Sequence, residues 1–267
     1  MKPMQLRGRW VLVTGASAGL GKSFATHLAK YHGANLVLVA RRKDRLDALA
    51  SELGKSAGVA THVIPADLSR TEEVDHALAE ATSGRQLTAA VLNAGVTHFG
   101  HFHELPWKDF QTMLQTNVSA VVRMTTELVS HLERDPHGGG ILIVSSMAGF
   151  TPVPFQTAYA ATKAFLVHFG MGMWHELDGR NVSVTTFAPA GIQTEMTAGE
   201  KFGPLRAWLA PVDEVAKEGI DALMERRFLT IPGVQNRLGD VLFRFLPRRF
   251  LTGRMAAVYR GALAKGR

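Results

Sequence analysis

The sequence predicts an α/β fold with a doubly wound parallel sheet of about seven strands and a C-terminal helical extension. Short apolar runs alternate with helical patterns along the chain, which is typical of parallel strands connected by helices. Most of these runs are apolar at nearly every position, as expected for strands that helices cover on both faces. With 267 residues, 46% of them hydrophobic, the chain can form one large core, so we expect one domain.

The first strand is predicted at 10–14 and ends in a glycine-rich turn that opens an amphipathic helix. Gly15, Gly19 and Gly21 in this turn are spaced GxxxGxG. Such glycines allow a tight backbone bend and let a pyrophosphate approach the positive N-terminus of the helix. The element therefore predicts a dinucleotide phosphate loop.

The second strand, NLVLVA at 35–40, is followed by Arg41 and Arg42 rather than by an acidic residue. An acidic side chain here would bond the ribose hydroxyls and repel a 2′-phosphate, whereas a guanidinium suits bidentate phosphate recognition. We therefore expect NADP(H) as the cofactor, with Arg41 as a phosphate contact. The alternative is that both arginines are ordinary surface charge.

The remaining strands bring further candidate residues to one edge of the sheet. Right-handed crossovers put the ligand site at the carboxyl ends of parallel strands. Asn93, Ser146 and Pro189 each follow a strand end, as Gly15 does. These strands are predicted near 59–64, 88–93, 140–145, 182–187 and 228–231.

A Tyr–Lys pair follows the fifth predicted strand. Tyr159 and Lys163 are four residues apart, so in a helix they lie on one face. A fixed cation beside a phenol favours the phenolate and lowers its pKa from about 10. Such a tyrosine can exchange a proton with an alcohol or a carbonyl group. For this motif alone, an exposed pair on a solvated helix face is the alternative.

Together these motifs resemble the landmarks of the short-chain dehydrogenase/reductase family, in family order, over roughly residues 8–195. The resemblance implies a Rossmann-type fold, a homo-oligomer and a catalytic tetrad of Asn117, Ser146, Tyr159 and Lys163. The cofactor contacts that it implies are Gly15, Ser17, Gly19, Leu20, Gly21, Arg41, Asp67, Asn93, Gly95, Tyr159, Lys163, Pro189, Ile192 and Thr194.

The resemblance also implies a role for each member of the tetrad. Tyr159 donates a proton to a carbonyl oxygen as hydride arrives from the nicotinamide, and Ser146 stabilises the charge on that oxygen. Lys163 lowers the pKa of Tyr159 and holds the nicotinamide ribose, and Asn117 completes a water-mediated proton path. Ser145 is the neighbouring alternative, but the family spacing of thirteen residues before the tyrosine selects Ser146.

One segment, APAGIQTEM at 188–196, departs from the family pattern. The usual Pro-Gly pair is broken after Pro189, and the glycine is displaced to Gly191. Ile192 and Thr194 still occupy the positions where the family binds the nicotinamide carboxamide, so both remain expected contacts. A helix N-cap is the alternative role for Thr194.

The substrate pocket is expected from the loops at 96–102, 150–156 and 196–209, because in this fold variable loops surround a fixed centre. These loops are rich in apolar side chains, which favours a small apolar carbonyl or alcohol substrate. The alternative for each side chain is that it closes the core. The apolar residues concerned are Phe99, Phe150, Val153, Phe155, Met196, Phe202, Leu205 and Trp208.

Within the single domain 1–267 we expect a cofactor and catalytic core over 1–195, a substrate-loop region over 196–225 and a basic extension over 226–267. The extension holds ten Lys or Arg and one acidic residue, for +9, while the rest of the chain nets −2. Two interpretations stay open: its helices fold back over the substrate lobe or a neighbouring subunit, or they lie on an anionic membrane surface. Nucleic-acid binding is not expected, because no recognition motif accompanies the charge.

Other features bear on compartment and metal chemistry. The chain has no cysteine, so disulfide and thiol chemistry are excluded. No apolar run approaches the ~20 residues of a spanning helix, and we expect a cytoplasmic protein, peripheral to the membrane if the extension binds lipid. His98, His101 and His103 form an HxxHxH cluster, but zinc needs three or four fixed ligands, so we expect loop histidines and no metal.

Three functions fit these observations. The first is an NADPH-dependent reductase of an apolar ketone or aldehyde. The second is a 3-oxoacyl carrier-protein reductase, whose basic surface would meet an acidic carrier. The third is a non-catalytic NADP(H)-binding sensor or scaffold, which the complete tetrad argues against.

The family resemblance also implies the subunit interface. Helices near 109–131 and 159–177 are expected to form it.

Overall fold

The structure, a computed structural model, describes residues 2–198 and 209–265. Within these residues seven parallel strands form one sheet in the order β3-β2-β1-β4-β5-β6-β7. The doubly wound α/β fold with a C-terminal helical extension is therefore confirmed. The strands are β1 Trp10–Thr14, β2 Asn35–Ala40, β3 Thr61–Pro65, β4 Leu87–Leu92, β5 Gly139–Val144, β6 Val182–Phe187 and β7 Leu229–Thr230.

Helices connect the strands and cover both faces of the sheet. A π-helical turn, Gln115–Ser119, joins α4 to α5 without a break in the helical path. The helices within the described residues are α1 Gly19–His32, α2 Lys43–Ala57, α3 Thr71–Thr82, α4 Trp107–Leu114, α5 Ala120–Leu132, α6 Thr157–Glu176, α7 Val212–Met224, α8 Val234–Phe245 and α9 Arg248–Lys265.

Two buried clusters lie on opposite faces of the sheet because nearly every strand position is apolar. On one face, Phe24 of α1 packs edge-on against Phe187 of β6, with α2 and α7 beside them. On the other face, α3, α5 and α6 supply residues such as Leu78, Leu128 and Leu166. Burial on both faces explains why the strands read as continuous apolar runs.

The site lies where the strand order reverses. The chain crosses from the edge strand β3 to β4, which pairs with β1, so a crevice opens between the carboxyl ends of β1 and β4. Gly15 and Asn93 directly follow these two strands, and Ser146 follows β5 in the next position along the sheet. The predicted meeting of these residues at one edge agrees with the topology.

The basic segment 226–267 contains residues of the core as well as the terminal helices. Arg226 is buried, and its guanidinium donates to the carbonyl of Gly139 at 2.6 Å and to Ser183 Oγ at 3.0 Å. It thereby ties the end of α7 to β5 and β6. The two helices α8 and α9 begin only after β7, and no helix of the described ranges is long and apolar enough to cross a membrane.

Candidate active site

The glycine turn between β1 and α1 is closely packed against the end of β4. Gly15 has φ +69°, a left-handed conformation that favours glycine. A Cβ on Gly15 would lie 2.8 Å from Asn93 Nδ2, and one on Gly21 would collide with the carbonyl oxygen of Gly15. The turn therefore requires glycine at both positions and leaves its backbone bare toward the crevice.

Thr14 fastens this turn to the fourth strand. Its Oγ1 accepts hydrogen bonds from the backbone amides of Asn93 at 2.9 Å and Ala94 at 3.0 Å, and Asn93 Nδ2 donates to the Thr14 carbonyl at 3.1 Å. Asn93 thus holds the two strand ends together. These bonds of Thr14 appear only once the strands are paired.

Arg42, rather than Arg41, reaches the glycine turn. Its guanidinium donates to Ser17 Oγ from Nε at 3.3 Å and from Nη2 at 3.2 Å, and Nη1 pairs with Glu195 at 3.0 Å. Arg45 also pairs with Glu195, and the two guanidinium groups lower the pKa of that carboxyl group. Arg41 is exposed. The sequence predicted Arg41 as a phosphate contact, and in the structure it is the next residue, Arg42, that contacts the glycine turn.

The segment after β6 covers the glycine turn from the other side. Thr194 lies at the N-cap of a short 3₁₀ turn, Glu195–Thr197, and a Cβ on Gly19 would come within 3.2 Å of its side chain. Ile192 bridges to Ala210. Between this segment and Gly19 lies a pocket of about 510 Å³. Thr194 is thus both the N-cap and a wall of the crevice.

Three further expected contacts lie around this crevice. Asp67 follows β3, and its Oδ1 accepts a hydrogen bond from the amide of Ser69 at 3.0 Å. Gly95 packs against the tetrad, since a Cβ there would lie 3.3 Å from Asn117 Oδ1 and 3.6 Å from Lys163 Nζ. Leu20 is buried in the first turn of α1.

The two serines after β5 have different partners. Ser145 is buried and its hydroxyl donates to the carbonyl of Lys163 at 2.7 Å, which makes it a link between β5 and α6. Ser146 Oγ donates to the carbonyl of Pro189 at 3.3 Å and accepts from the amide of Ala148 at 3.2 Å. Ser146, and not Ser145, lies close enough to Tyr159 to lower the pKa of its phenol.

Tyr159 and Lys163 lie on the first turns of α6, on one face as the spacing predicts. The ammonium of Lys163 lies 5.7 Å from the centroid of the Tyr159 ring and donates to the carbonyl of Val144 at 2.9 Å. Lys163 is buried, with 4% of its surface exposed. A buried ammonium held at the end of β5 gives the crevice a fixed positive group.

Burial shifts the pKa values of both groups. Desolvation raises the pKa of Tyr159 to about 12, with the Ser146 hydrogen bond opposing the shift and the nearby Tyr259 adding to it. Desolvation lowers the pKa of Lys163 to about 8. Lowering of the Tyr159 pKa by Lys163, which the sequence analysis expects, is therefore not observed. Near neutral pH the phenol carries its proton.

Asn117 occupies the π-helical turn and is completely buried. Its Oδ1 accepts from the amide of Val96 at 2.8 Å, and its Nδ2 donates to the carbonyl of Val96 at 2.9 Å and to Thr162 Oγ1 at 3.0 Å. The side chain therefore fixes the loop after β4 to α6, one residue before Lys163.

One expected substrate loop contacts the extension near Tyr159. Phe99 packs edge-on against Tyr259 of α9, with ring centroids 5.4 Å apart, and Val153 is buried. Phe155 has φ +66°, an unfavourable conformation for a side chain of its size, and such strain clusters at functional sites. Phe150 is half-buried. Of the remaining expected pocket residues, the Met196 side chain, Phe202, Leu205 and Trp208 lie outside the described residues.

The histidine cluster lies along the same loop. The rings of His101 and His103 are 5.3 Å apart, and His98 Nε2 lies 3.4 Å from the carbonyl oxygen of His101. Within residues 2–198 and 209–265, no group of three or more His, Asp or Glu side chains is arranged to hold a metal ion.

Comparison with known proteins gives the family. The family model described as short chain dehydrogenase matches residues 9–202, which is most of the chain. The chain belongs to the short-chain dehydrogenase family. This short-chain dehydrogenase is 30% identical over 217 residues to human 17-beta-hydroxysteroid dehydrogenase type 3, a match that covers 80% of the chain and 68% of the relative. It is 34% identical over 195 residues to very-long-chain 3-oxoacyl-CoA reductase of Anas platyrhynchos, covering 71% of the chain and 62% of the relative.

Solved structures agree over nearly the full length of this short-chain dehydrogenase. A structure of a 7beta-hydroxysteroid dehydrogenase superimposes with a TM-score of 0.82 at 25% identity and covers 96% of this chain and 99% of its own. A short-chain dehydrogenase from Sphingobium yanoikuyae in complex with NADPH gives 0.75 at 27% identity, covering 90% of this chain and 96% of its own. The resemblance stated from the motifs is confirmed.

Proposed function

We propose that this short-chain dehydrogenase is NADP(H)-dependent and interconverts an apolar ketone or aldehyde and its alcohol, with Tyr159 as the general acid and base. The observation that carries the proposal is the convergence of Ser146, Tyr159 and Lys163 beside the glycine turn. A proton donor, an oxygen ligand and a buried cation at one crevice are what carbonyl reduction requires.

The residues around the crevice fit a dinucleotide phosphate. The glycine turn presents bare backbone at the N-terminus of α1, where an added Cβ would collide, and this suits a pyrophosphate. Arg42 lies on Ser17 in that turn, and no acidic side chain ends β2. A guanidinium here suits a 2′-phosphate. The neighbour bound to NADPH supports the same choice.

Apart from Arg41, whose place Arg42 takes, the other expected cofactor contacts stay part of the proposal. Thr194 and Ile192 belong to the segment that walls the pocket beside Gly19, and Pro189 accepts the hydrogen bond of Ser146. Asp67 follows β3, the strand beside β2, and is proposed as the adenine contact.

In the reductive direction Tyr159 supplies the proton. When bound, the nicotinamide provides a hydride for the carbonyl carbon. The phenol of Tyr159, with its pKa near 12, is protonated at neutral pH and can protonate the oxygen as the alcohol forms. Ser146, which lies beside Tyr159, can turn its hydroxyl proton from the Pro189 carbonyl to the same oxygen and stabilise its developing charge.

Lys163 and Asn117 support this exchange. The Lys163 ammonium is fixed by the Val144 carbonyl and is proposed to hold the nicotinamide ribose. Asn117 clamps the loop at Val96 to α6, so it fixes the position of that loop relative to Lys163. A water-mediated proton path from Lys163 past Asn117 is part of the proposal.

The walls of the site favour an apolar substrate. Tyr259 lies near Tyr159 and packs against Phe99, so this aromatic pair is proposed as the apolar wall. Apolar walls with a few convergent polar groups are typical of sites for apolar small molecules. Relatives named as hydroxysteroid dehydrogenases support a bulky ketone or secondary alcohol.

A second candidate substrate is a 3-oxoacyl thioester. It is favoured by the relative named as a very-long-chain 3-oxoacyl-CoA reductase, which shares 34% identity with this chain. The chemistry at Tyr159 is the same for either substrate, so the two proposals differ only in what the apolar wall binds.

A substrate panel tests these alternatives. NADPH oxidation would be followed with ketosteroids, other bulky ketones, aldehydes, 3-oxoacyl thioesters on coenzyme A and on a carrier protein, and a ketose as a polar control. We expect turnover of bulky apolar ketones with NADPH and far less with the ketose. Tight NADPH binding without turnover of any panel member would favour the non-catalytic sensor instead.

We further propose that the protein forms a homo-oligomer through α4, α5 and α6. These helices expose three large apolar side chains, Trp107, Leu114 and Phe165. Single exposed apolar residues are common, but several on neighbouring helices favour a contact surface. On α6, Gly172 faces open space and leaves room for a partner helix, whereas Gly170 packs against the chain's own sheet, where a Cβ would collide with Thr186.

A further inference from the structure

Helix α8 leaves a row of large apolar side chains uncovered. Val234, Leu238, Val241, Leu242 and Phe245 follow the spacing i, i+4, i+7, i+8 and i+11, so they lie on one face of the helix. Their exposed fractions range from 54% for Val241 to 81% for Phe245. Single exposed apolar residues are ordinary, but a contiguous row marks a contact surface. We call these five side chains the α8 face.

Positive charge borders the α8 face. Arg248 and Arg249 follow it at the start of α9, both are exposed, and neither forms an ion pair within the part of the chain that the structure describes. Asp240, the single acidic residue of the extension, is buried and lies on the other side of α8. The α8 face therefore combines apolar side chains with cations, and the carboxylate beside its first turn, Glu218, is paired with Arg237.

Helix α9 packs one side inward and does not cover this face. In α9, Leu251 and Ala262 are buried, and Tyr259 contacts Phe99 of the substrate loop. The extension thus divides into an inward helix, α9, and an outward helix, α8. Of the two interpretations of the basic segment, inward packing describes α9, and contact with an outside surface fits α8.

We propose that the α8 face binds the surface of an anionic lipid bilayer, with α8 lying in the plane of the interface. The apolar row would enter the boundary between headgroups and acyl chains, and Arg248 and Arg249 would pair with lipid phosphates. Charge favours a bilayer over a second copy of this chain, because lipid phosphates would neutralise both arginines, whereas two α8 faces packed in parallel would bring the arginines together.

Vesicle sedimentation tests the proposal on the full-length protein. Vesicles of phosphatidylcholine alone would be compared with vesicles that also contain phosphatidylglycerol, at low and high salt. We expect binding to the anionic vesicles that weakens as salt screens the arginines. The double variant Leu242→Asp/Phe245→Asp is expected to lose about tenfold or more in bound fraction, because both side chains are exposed and would place charge at the acyl boundary.

The matched control is Tyr31→Asp, which adds a charge at an equally exposed aromatic residue on α1 and should bind vesicles like the native chain. Circular dichroism of both variants checks folding. Absent binding of the native chain, or equal binding of the double variant, would overturn the proposal. The proposal would also be overturned if the native chain did not bind vesicles and the double variant lost self-association, because the α8 face would then be a subunit interface.

Discussion

At the scale of single residues, burial decides which protonation state each catalytic group offers. The Lys163 ammonium donates to the Val144 carbonyl. A neighbouring cation alone would lower the pKa of Tyr159, but desolvation raises it. Tyr159 is therefore an acid at neutral pH, and Lys163, with a pKa near 8, is the group that titrates closest to neutrality. In the proposed mechanism, this proton is the one that Tyr159 donates to the carbonyl oxygen.

The pH profile of reduction should therefore follow Lys163. Burial disfavours its charged form, so the ammonium is present below a pH of about 8 and is lost as the pH rises through that value. We expect kcat/KM for carbonyl reduction to be level near neutral pH and to fall above about pH 8. Rate measurements at constant ionic strength check this. A profile that stays level until the pKa of Tyr159 would contradict the role of Lys163.

Cofactor choice should depend on Arg42 more than on Arg41. A charge-assisted hydrogen bond to phosphate contributes about 1.5–3 kcal/mol, so Arg42→Ala should raise the KM for NADPH by about 10- to 100-fold. The KM for NADH, which lacks the 2′-phosphate, should change little. Arg41→Ala is the matched control, because Arg41 is exposed while Arg42 contacts Ser17. Equal losses with both cofactors in Arg42→Ala would point to a structural role instead.

At the scale of elements, local patterns were predictable and contacts between distant elements were not. The glycine turn and the Tyr159–Lys163 helix follow from spacing within a few residues. Which of the two arginines, Arg41 or Arg42, contacts the glycine turn depends on where α2 begins, since Arg42 is its N-cap. The contact of Tyr259 with Phe99 joins residues far apart in sequence, and no local pattern in α9 predicts it.

Helix α9 should act as one wall of the substrate site through Tyr259. An aromatic pair contributes ~1 kcal/mol, so Tyr259→Ala should raise the KM for an apolar ketone by about fivefold through loss of the contact with Phe99. Tyr259→Phe keeps the ring and should keep the KM. Steady-state kinetics of both variants measure this. A larger loss in Tyr259→Phe than expected for a retained ring would mean that the hydroxyl group binds substrate.

At the scale of the whole molecule, the sequence was sufficient for the sheet and insufficient for the extension. Every predicted strand exists, because apolar runs buried on both faces are a strong signal. Composition alone left open whether the basic segment packs inward or outward. The structure gives both, since Arg226 is buried in the core, α9 packs on the substrate loop and the α8 face is exposed.

Assembly should depend on the exposed aromatic residues of α4 and α6. Phe165 is partly exposed and stacks on Phe169 with ring centroids 6.0 Å apart. Phe165→Asp would place a charge in the proposed interface, so we expect a dimer or tetramer of the native chain to dissociate toward monomer. Light scattering coupled to gel filtration gives the mass. A native chain that is already monomeric would contradict the proposed interface.

The role of Tyr159 as proton donor is tested by comparing the native chain with Tyr159→Phe on an apolar ketone and NADPH. The substitution removes only the hydroxyl group that donates the proton, so kcat/KM should fall by about 10²- to 10⁴-fold. The Kd for NADPH, measured by its fluorescence, should stay within a factor of about two, since the proposed phosphate contacts are untouched. A Tyr159→Phe protein that keeps full turnover would show that the proton comes from elsewhere and that the account of the site is wrong.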